Sequence, residues 1–391
     1  MQCAALSSES RVHCHSAEGL PIGGLDAGWH VWEIARDRRP EALYHWWDGA
    51  LKTIDGMITQ TSGWVEYGLA TDYQRAVLVA GASEKGEVEA MAVGFISEPR
   101  WPLRGFRRIR FPAYPSTRGD DGYLQEAVEV CERVARQWRC MAVEFLSVGQ
   151  PEEVSTVELP GYATRWDRLE YVLDLTCGEE ALWEGLSRRH RRNIKLSGNR
   201  DVRVLHTGTL ESVRRVRQLQ LEVTRRHAVK GDPFGLRPPE AYDALHRALV
   251  FPGLGRVYCA YVNGQVVSAA LYLTFGQRAR WLYSGSDELG LSTRASLAVI
   301  WEAIVDLRRE GFRELSLGTG NREIQSQDSS HPAYGLHEFK LGFGARTRRV
   351  AAASKTLRPV AVRVHRALQR VRSCVSNGRR RASPARAEVD Q

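Results

Sequence analysis

Two stretches of the chain, roughly 180 residues apart, follow the same order of hairpin, strand, helix and strand. In the first, an apolar run at Arg75 to Ala80 meets the turn Ser83-Glu84-Lys85-Gly86, and a strand follows from Glu87 to Ile96. In the second, Arg256 to Val262 meets Asn263-Gly264, a strong two-residue hairpin signal, and Gln265 to Phe275 continues as strand. Each hairpin precedes a further strand and then a helix. The helix expected at Gly122 to Trp138 puts Leu124, Ala127, Val128, Cys131, Ala135 and Trp138 on one face. The helix expected at Arg294 to Arg309 does the same with Leu297, Ile300, Trp301, Ile304 and Leu307. Strands at Met141 to Val148 and Glu314 to Leu317 close the two units. A strand–helix–strand unit favours a parallel, sheltered sheet at that point. Two α/β domains of one type are therefore expected, with mixed, partly parallel sheets.

The 391 residues leave room for two domains and tails. With 43% hydrophobic and 26% charged residues, the composition is that of an ordinary globular protein. The first twenty residues hold no long apolar run, so no signal peptide is expected. The seven cysteines are scattered without a CxxC pair, which argues against a zinc site or a disulfide framework. No metal is expected, and a reducing cytoplasm is the simplest home.

Charge separates the tail from the body. From Lys355 onward there are ten Lys or Arg and two acids, so the tail holds +8 of the net +9. The body is close to neutral, and the overall charge does not mark it as a nucleic-acid binder. Within the tail, Val360, Val364, Ala367, Leu368, Val371 and Val375 recur at helical spacing among Arg363, Arg366, Arg370 and Arg372. Such a helix suits an anionic membrane surface or docking on the body. Disorder is expected from Arg379 to Gln391.

Residues 1–28 show no periodicity and are expected to be a loose lead-in. Leu173-Asp174-Leu175 ends a strand, and Thr176 and Glu179 have capping-box spacing. One helix is expected from there through Leu182, Trp183 and Leu186 to Ile194. The expected division is 1–28 lead-in, 29–175 first domain, 176–354 second domain, and 355–391 basic tail.

The run Gly335-Leu336-His337-Glu338-Phe339-Lys340-Leu341-Gly342-Phe343-Gly344 carries two phenylalanines, a lysine and three glycines just beyond the second unit. The segment Leu186 to Lys195 is basic, with five Lys or Arg, one His and no acid from Arg188 on. Tyr283-Ser284-Gly285 ends a strand ahead of the helix that holds Trp301. In this order and spacing, the three segments resemble the Fem-type peptidyltransferases and their acetyltransferase relatives in the GNAT superfamily. The resemblance spans roughly Trp29 to Ala352. It implies tandem GNAT-like (acyl-CoA N-acyltransferase) domains that move an acyl group to an amine, in cell-envelope or polysaccharide biosynthesis. In the acetyltransferase branch the donor is an acyl-CoA, most simply acetyl-CoA. In the Fem branch it is aminoacyl-tRNA, and the acceptor is a peptidoglycan precursor. Two departures stand out. The pyrophosphate loop, usually opened by Gln or Arg, here reads Asp287-Glu288-Leu289-Gly290-Leu291-Ser292. The strand after the second helix has Ser316 where the family often has an acid.

The resemblance implies catalytic roles for Lys340, Tyr283 and Glu338. Acyl transfer needs positive charge or donors at the developing oxyanion, which Lys340 can supply. Tyr283 sits where GNAT strands splay, and Glu338 with His337 can relay a proton. Donor or substrate binding falls to Arg192, Arg189, Lys195, Ser284 and Phe339, the cations suiting a phosphate-rich ligand. The expected partners are a small or lipid-linked amine acceptor, an acyl-CoA or aminoacyl-tRNA, and an anionic membrane touched through 355–391. That places the protein in the cytoplasm, peripheral at the inner membrane face. An inactive GNAT-like module binding a nucleotide, lipid or RNA is the alternative that Asp287 favours.

Overall fold

The computed structural model describes residues 12–15, 26–99, 105–118, 121–155, 157–229, 235–321 and 334–381. The strands are β1 (Val12–His15), β2 (Gly28–Ala35), β3 (Arg75–Ala82), β4 (Val88–Ser97), β5 (Arg108–Phe111), β6 (Ser116–Thr117), β7 (Ala142–Leu146), β8 (Ala163–Asp174), β9 (Arg203–Thr207), β10 (Gly255–Val262), β11 (Gln265–Phe275), β12 (Arg278–Ser286), β13 (Glu314–Asn321) and β14 (Arg346–Thr356). The helices are α1 (Glu41–Thr53), α2 (Ser62–Thr71), α3 (Asp121–Gln137), α4 (Glu152–Ser155), α5 (Glu179–Gly185), α6 (Arg188–Gly198), α7 (Leu210–Val229), α8 (Pro239–Leu245), α9 (Glu288–Ser292), α10 (Ala295–Arg309), α11 (Tyr334–Leu341) and α12 (Pro359–Arg381).

Among the described residues all strands join one sheet, in the order β1-β2-β3-β4-β5-β7-β14-β8-β13-β12-β11-β10-β9, with β6 paired to β4. The two halves repeat the same path. An outer strand (β2 or β9) leads to two helices, an antiparallel meander (β3-β4-β5 or β10-β11-β12), a crossover helix (α3 or α10) and a parallel return strand (β7 or β13). Central strands β4 and β11 hold equivalent places, as the repeated pattern predicts. The Asn263-Gly264 turn takes the positive φ values that its hairpin requires, 50° and 76°.

Three apolar clusters cover the sheet. Helices α1, α2, α7 and α8 bury one cluster drawn from both halves, including Trp32, Trp47, Leu219, Leu245 and Leu271. On the other face, α3 covers a cluster around Phe111, Cys131 and Phe145, and α10 covers one around Tyr171, Tyr272, Ile300 and Phe343. The spacing of Leu43, Trp47 and Leu51 on α1 and of Ile300, Ile304 and Leu307 on α10 gives each helix the stripe it buries.

The halves are joined by exchanged strands. β8, from the first half, pairs antiparallel with β13 of the second. β14, the last strand of the second half, pairs antiparallel with β7 of the first, and β8 and β14 pair with each other. At their pairing, Glu170 lies opposite Arg348. The Glu170 side chain is fully buried and accepts from Arg348 Nε at 2.8 Å, Ser316 Oγ at 2.5 Å and the Gly149 N–H at 3.0 Å. Arg348 Nη1 also donates to Glu314 at 3.1 Å. Its Nη2 comes within 2.8 Å of Glu170 and 3.0 Å of Glu314, without hydrogen-bond geometry to either. The boundary expected at 175/176 falls just past the end of β8.

Three local expectations are corrected. The helix expected from Thr176 to Ile194 is broken into α5 and α6 by extended backbone at Leu186 and Ser187. Ser187 caps α6 by accepting from the His190 N–H, and Thr176 instead donates to Asp174. Within the expected lead-in, Val12–His15 forms β1, parallel to β2, where the stacked rings of His13, His15 and His30 anchor it. A four-residue strand is too short to show a period. Helix α12 runs on to Arg381; residues 382–391 lie outside the described residues.

Removing Glu170 leaves a buried guanidinium without its main partner. Glu170→Ala is expected to cost about 3–5 kcal/mol in urea unfolding. Asp167→Ala breaks the half-exposed ion pair with Arg349, at 2.9 Å, and should cost about 1 kcal/mol or less. Equal losses in the two variants would contradict the seam's dependence on Glu170.

Candidate active site

The two halves differ at the place where each meander meets its return strand. β12 and β13 pair only through Arg278–Arg280 and Glu314–Ser316. Beyond that β12 stays with β11, while β13 turns to β8, and a fork opens between them. The corresponding gap in the first half is plugged. Gln60, fully buried, donates to the carbonyls of Met91 and Tyr114 and accepts from Ser116 Oγ at 2.7 Å. Gln150 bonds both backbone groups of Tyr114, and Phe111, Phe145 and Tyr114 stack beside it.

Lys340 points into the second half's fork. It is 5% exposed, and its Nζ donates to the Thr319 carbonyl of β13 at 3.1 Å. The ammonium stands 4.9 Å from the centre of the Tyr171 ring, a cation–π contact. The Tyr171 hydroxyl is 2.7 Å from His337 Nδ1. Burial lowers the Lys340 pKa to about 8, with Glu170 opposing the shift and Arg280 adding to it. Burial raises that of Tyr171. Lysine, tyrosine and histidine thus form a short polar line at a place where two strands part.

A staple sets α11 against the basic helix α6. His190 is buried, with Nδ1 3.0 Å from Ser187 Oγ and Nε2 3.0 Å from the Phe339 carbonyl. Its ring lies 5.4 Å from Phe339 and 4.6 Å from Phe343. The Ser187 N–H donates to the Gly342 carbonyl at 2.8 Å. Only glycine fits at 342, because a Cβ there would lie 2.4 Å from the His190 ring. Arg191 turns back to cap the carbonyls of Glu184 and Leu186 at 2.6 and 2.8 Å. Arg189, Arg192 and Lys195 are exposed on α6, with Lys195 5.9 Å from the Trp183 ring.

Of the other residues singled out by sequence, Phe339, on the same helix as Lys340, packs against His190, Phe343 and Trp281. Glu338 is exposed, and the tyrosine contact belongs to His337. Tyr283 packs into the core shared by the halves, 5.4 Å from Tyr242, and Ser284 pairs in the ladder with Ala270. Ser316 donates to Glu170, so a carboxylate does stand beside this strand, supplied by β8. Sequence reasoning missed Glu170 and Tyr171. The available signal was a glutamate inside an otherwise apolar strand, Leu169-Glu170-Tyr171-Val172.

The loop after β12 is closed upon itself. Asp287 caps α9, and its carboxylate accepts from the Gly290 N–H at 2.8 Å. Arg215 sits 3.4 Å from the same carboxylate. Gly290 packs on β11, where a Cβ would meet the Val267 carbonyl at 2.2 Å. A pyrophosphate cradle needs free N–H groups and positive potential. Here one N–H is taken and a carboxylate occupies the loop, so the residues do not fit a conventional cradle. Among the described residues, no group of three His, Cys, Asp or Glu could hold a metal ion.

Residues 186–326 match the family model described as Acetyltransferase (GNAT) domain. No curated protein matches the sequence. Among solved structures, FemX superposes with a TM-score of 0.68 at 13% identity, covering 82% of this chain and 98% of FemX. A conserved protein of unknown function from Bacteroides thetaiotaomicron VPI-5482 superposes with a TM-score of 0.50 at 12% identity, covering 79% of this chain and 92% of its own. Residues 186–326 therefore carry a GNAT domain, and the chain as a whole has a fold similar to that of FemX.

Gly342→Ala is expected to push α6 and α11 apart and to destabilise the protein by about 1–3 kcal/mol. Adding His190→Ala should relieve the clash, so the double variant is more stable than the two single effects predict. Thermal or urea melts of the four proteins measure this coupling. Strict additivity would remove the staple.

Proposed function

We propose that this protein is an N-acyltransferase whose second half joins an activated acyl group to an amine. The reading is supported by one observation above others: the Lys340 ammonium buried at a strand fork within a GNAT-type fold. The amine attacks the acyl carbonyl, the new C–N bond forms, and the ester or thioester bond breaks with its pair leaving on oxygen or sulfur. Lys340 stabilises the negative charge that develops on the carbonyl oxygen. The Tyr171–His337 pair offers a path for the proton that the amine gives up. The exposed Arg189, Arg192 and Lys195 of α6 attract the anionic part of donor or acceptor. The β12 strand at Tyr283 and Ser284, beyond its last pairing with β13, borders the fork, while the Tyr283 ring stays in the shared core.

Two donors compete. Acetyl-CoA is the simpler, and the GNAT domain supports it. Aminoacyl-tRNA is favoured by the Asp287 loop, because a donor held through its RNA needs no pyrophosphate cradle. A cell-envelope or polysaccharide precursor bearing a primary amine is the proposed acceptor class. Titrating the protein separately with acetyl-CoA and with charged tRNA distinguishes the donors. Binding of neither, with no transfer to any amine, would leave only the inactive binding module.

Lys340→Ala should lower kcat/KM about 100-fold or more. The lysine is charged below its pKa of about 8 and neutral above it. Activity that needs the ammonium therefore holds at lower pH and falls as pH rises through that value. In Lys340→Arg the cation persists, so the alkaline fall should disappear from whatever activity remains. Wild-type turnover in Lys340→Ala, or an alkaline limb unchanged in Lys340→Arg, would take Lys340 out of the mechanism.

A further inference from the structure

Helix α12 is fastened to the body near its start. Arg358 donates from Nη1 to the Arg139 carbonyl at 3.1 Å. Val362 and His365 are buried, and the His365 ring lies 5.3 Å from Phe106. From Arg366 to Arg370 every residue is exposed.

The opposite face of this helix is apolar and bare. Val360, Val364 and Leu368 are 71%, 44% and 39% exposed. At 100° per residue, the centre of this stripe lies roughly 130° around the helix from Val362 and His365. Docking on the body already uses one face and leaves the stripe pointing away from it. The stripe runs beside strong positive charge. Residues 359–381 hold seven arginines and no Asp or Glu. Arg363, Arg366 and Arg370 follow one flank of the stripe. The neighbouring body surface adds Arg108 of β5, which lies close enough to both Arg366 and Arg165 of β8 for repulsion. The nearby carboxylate, Glu144, is engaged by Arg110 at 2.7 Å.

We propose that this face docks on an anionic lipid bilayer, with Val360, Val364 and Leu368 at the headgroup–acyl boundary and the arginines among the phosphates. An apolar stripe flanked by cations is complementary to such an interface, which offers both phosphate and hydrocarbon. RNA offers phosphate but rewards aromatic side chains on which bases stack. Residues 359–381 contain no Phe, Tyr or Trp. The contact is peripheral: among the described residues no helix is long and apolar enough to cross a membrane.

Co-sedimentation of the full chain with phosphatidylglycerol-containing vesicles and with pure phosphatidylcholine vesicles, at low and high salt, tests this. Binding is expected to the anionic vesicles only, and to weaken at high salt. Val364→Glu combined with Leu368→Glu should weaken it at least 10-fold while leaving the melting temperature unchanged, since both side chains are exposed. No binding at low salt, binding indifferent to the double substitution, or binding to an unstructured RNA in place of vesicles would overturn the proposal.

Discussion

The buried ion pair between Glu170 and Arg348 holds the exchanged strands in register. Each residue comes from a strand that begins in one half and completes the sheet of the other. A carboxylate with three donors satisfies its charge without water, and a one-residue slip of β8 against β14 would bury both charges unpaired. Successive side chains of a strand point to opposite faces. The register that places Glu170 in the seam therefore also places Tyr171 on the other face, under the Lys340 ammonium. The seam and the candidate site are consecutive residues of one strand.

The repeated α/β unit gives two places where strands part, and packing leaves them unequal. In the first half, Gln60 and Gln150 satisfy the backbone groups freed where the strands part, and three aromatic rings fill the remaining space. In the second, β13 is drawn toward β8 and a lysine on α11 faces the gap. The staple through His190 and Gly342 fixes α11 and brings the start of the cationic helix α6 alongside it. A lysine held by buried contacts keeps its position and a lowered pKa, which a solvated lysine does not.

Local signals in the sequence carried much of the architecture. The Asn263-Gly264 hairpin, the stripes of α3 and α10, and the order of the two units are all short-range patterns. The exchange of β8 and β14 is a pairing across some 180 residues, and no local period encodes a partner at that distance. The break at Leu186 depended on Ser187 acting as a cap and on Arg191 taking carbonyls, which competes with a helix that propensity alone would continue. Lys340 and Phe339 were visible through the glycine- and phenylalanine-rich run around them. Tyr171 carries no such signature, because its role comes from what β8 brings it to face.

The central claim is that the donor enters the open fork of the second half. Hydrogen exchange followed by mass spectrometry, with acetyl-CoA and with aminoacyl-tRNA added in turn, tests it most directly. An effective donor should slow exchange in β12 beyond Arg280 and in α11, and leave β4 to β6 unchanged. Protection gathered around Gln60, Gln150 and the first half's strands, with β12 and α11 unaltered, would contradict it.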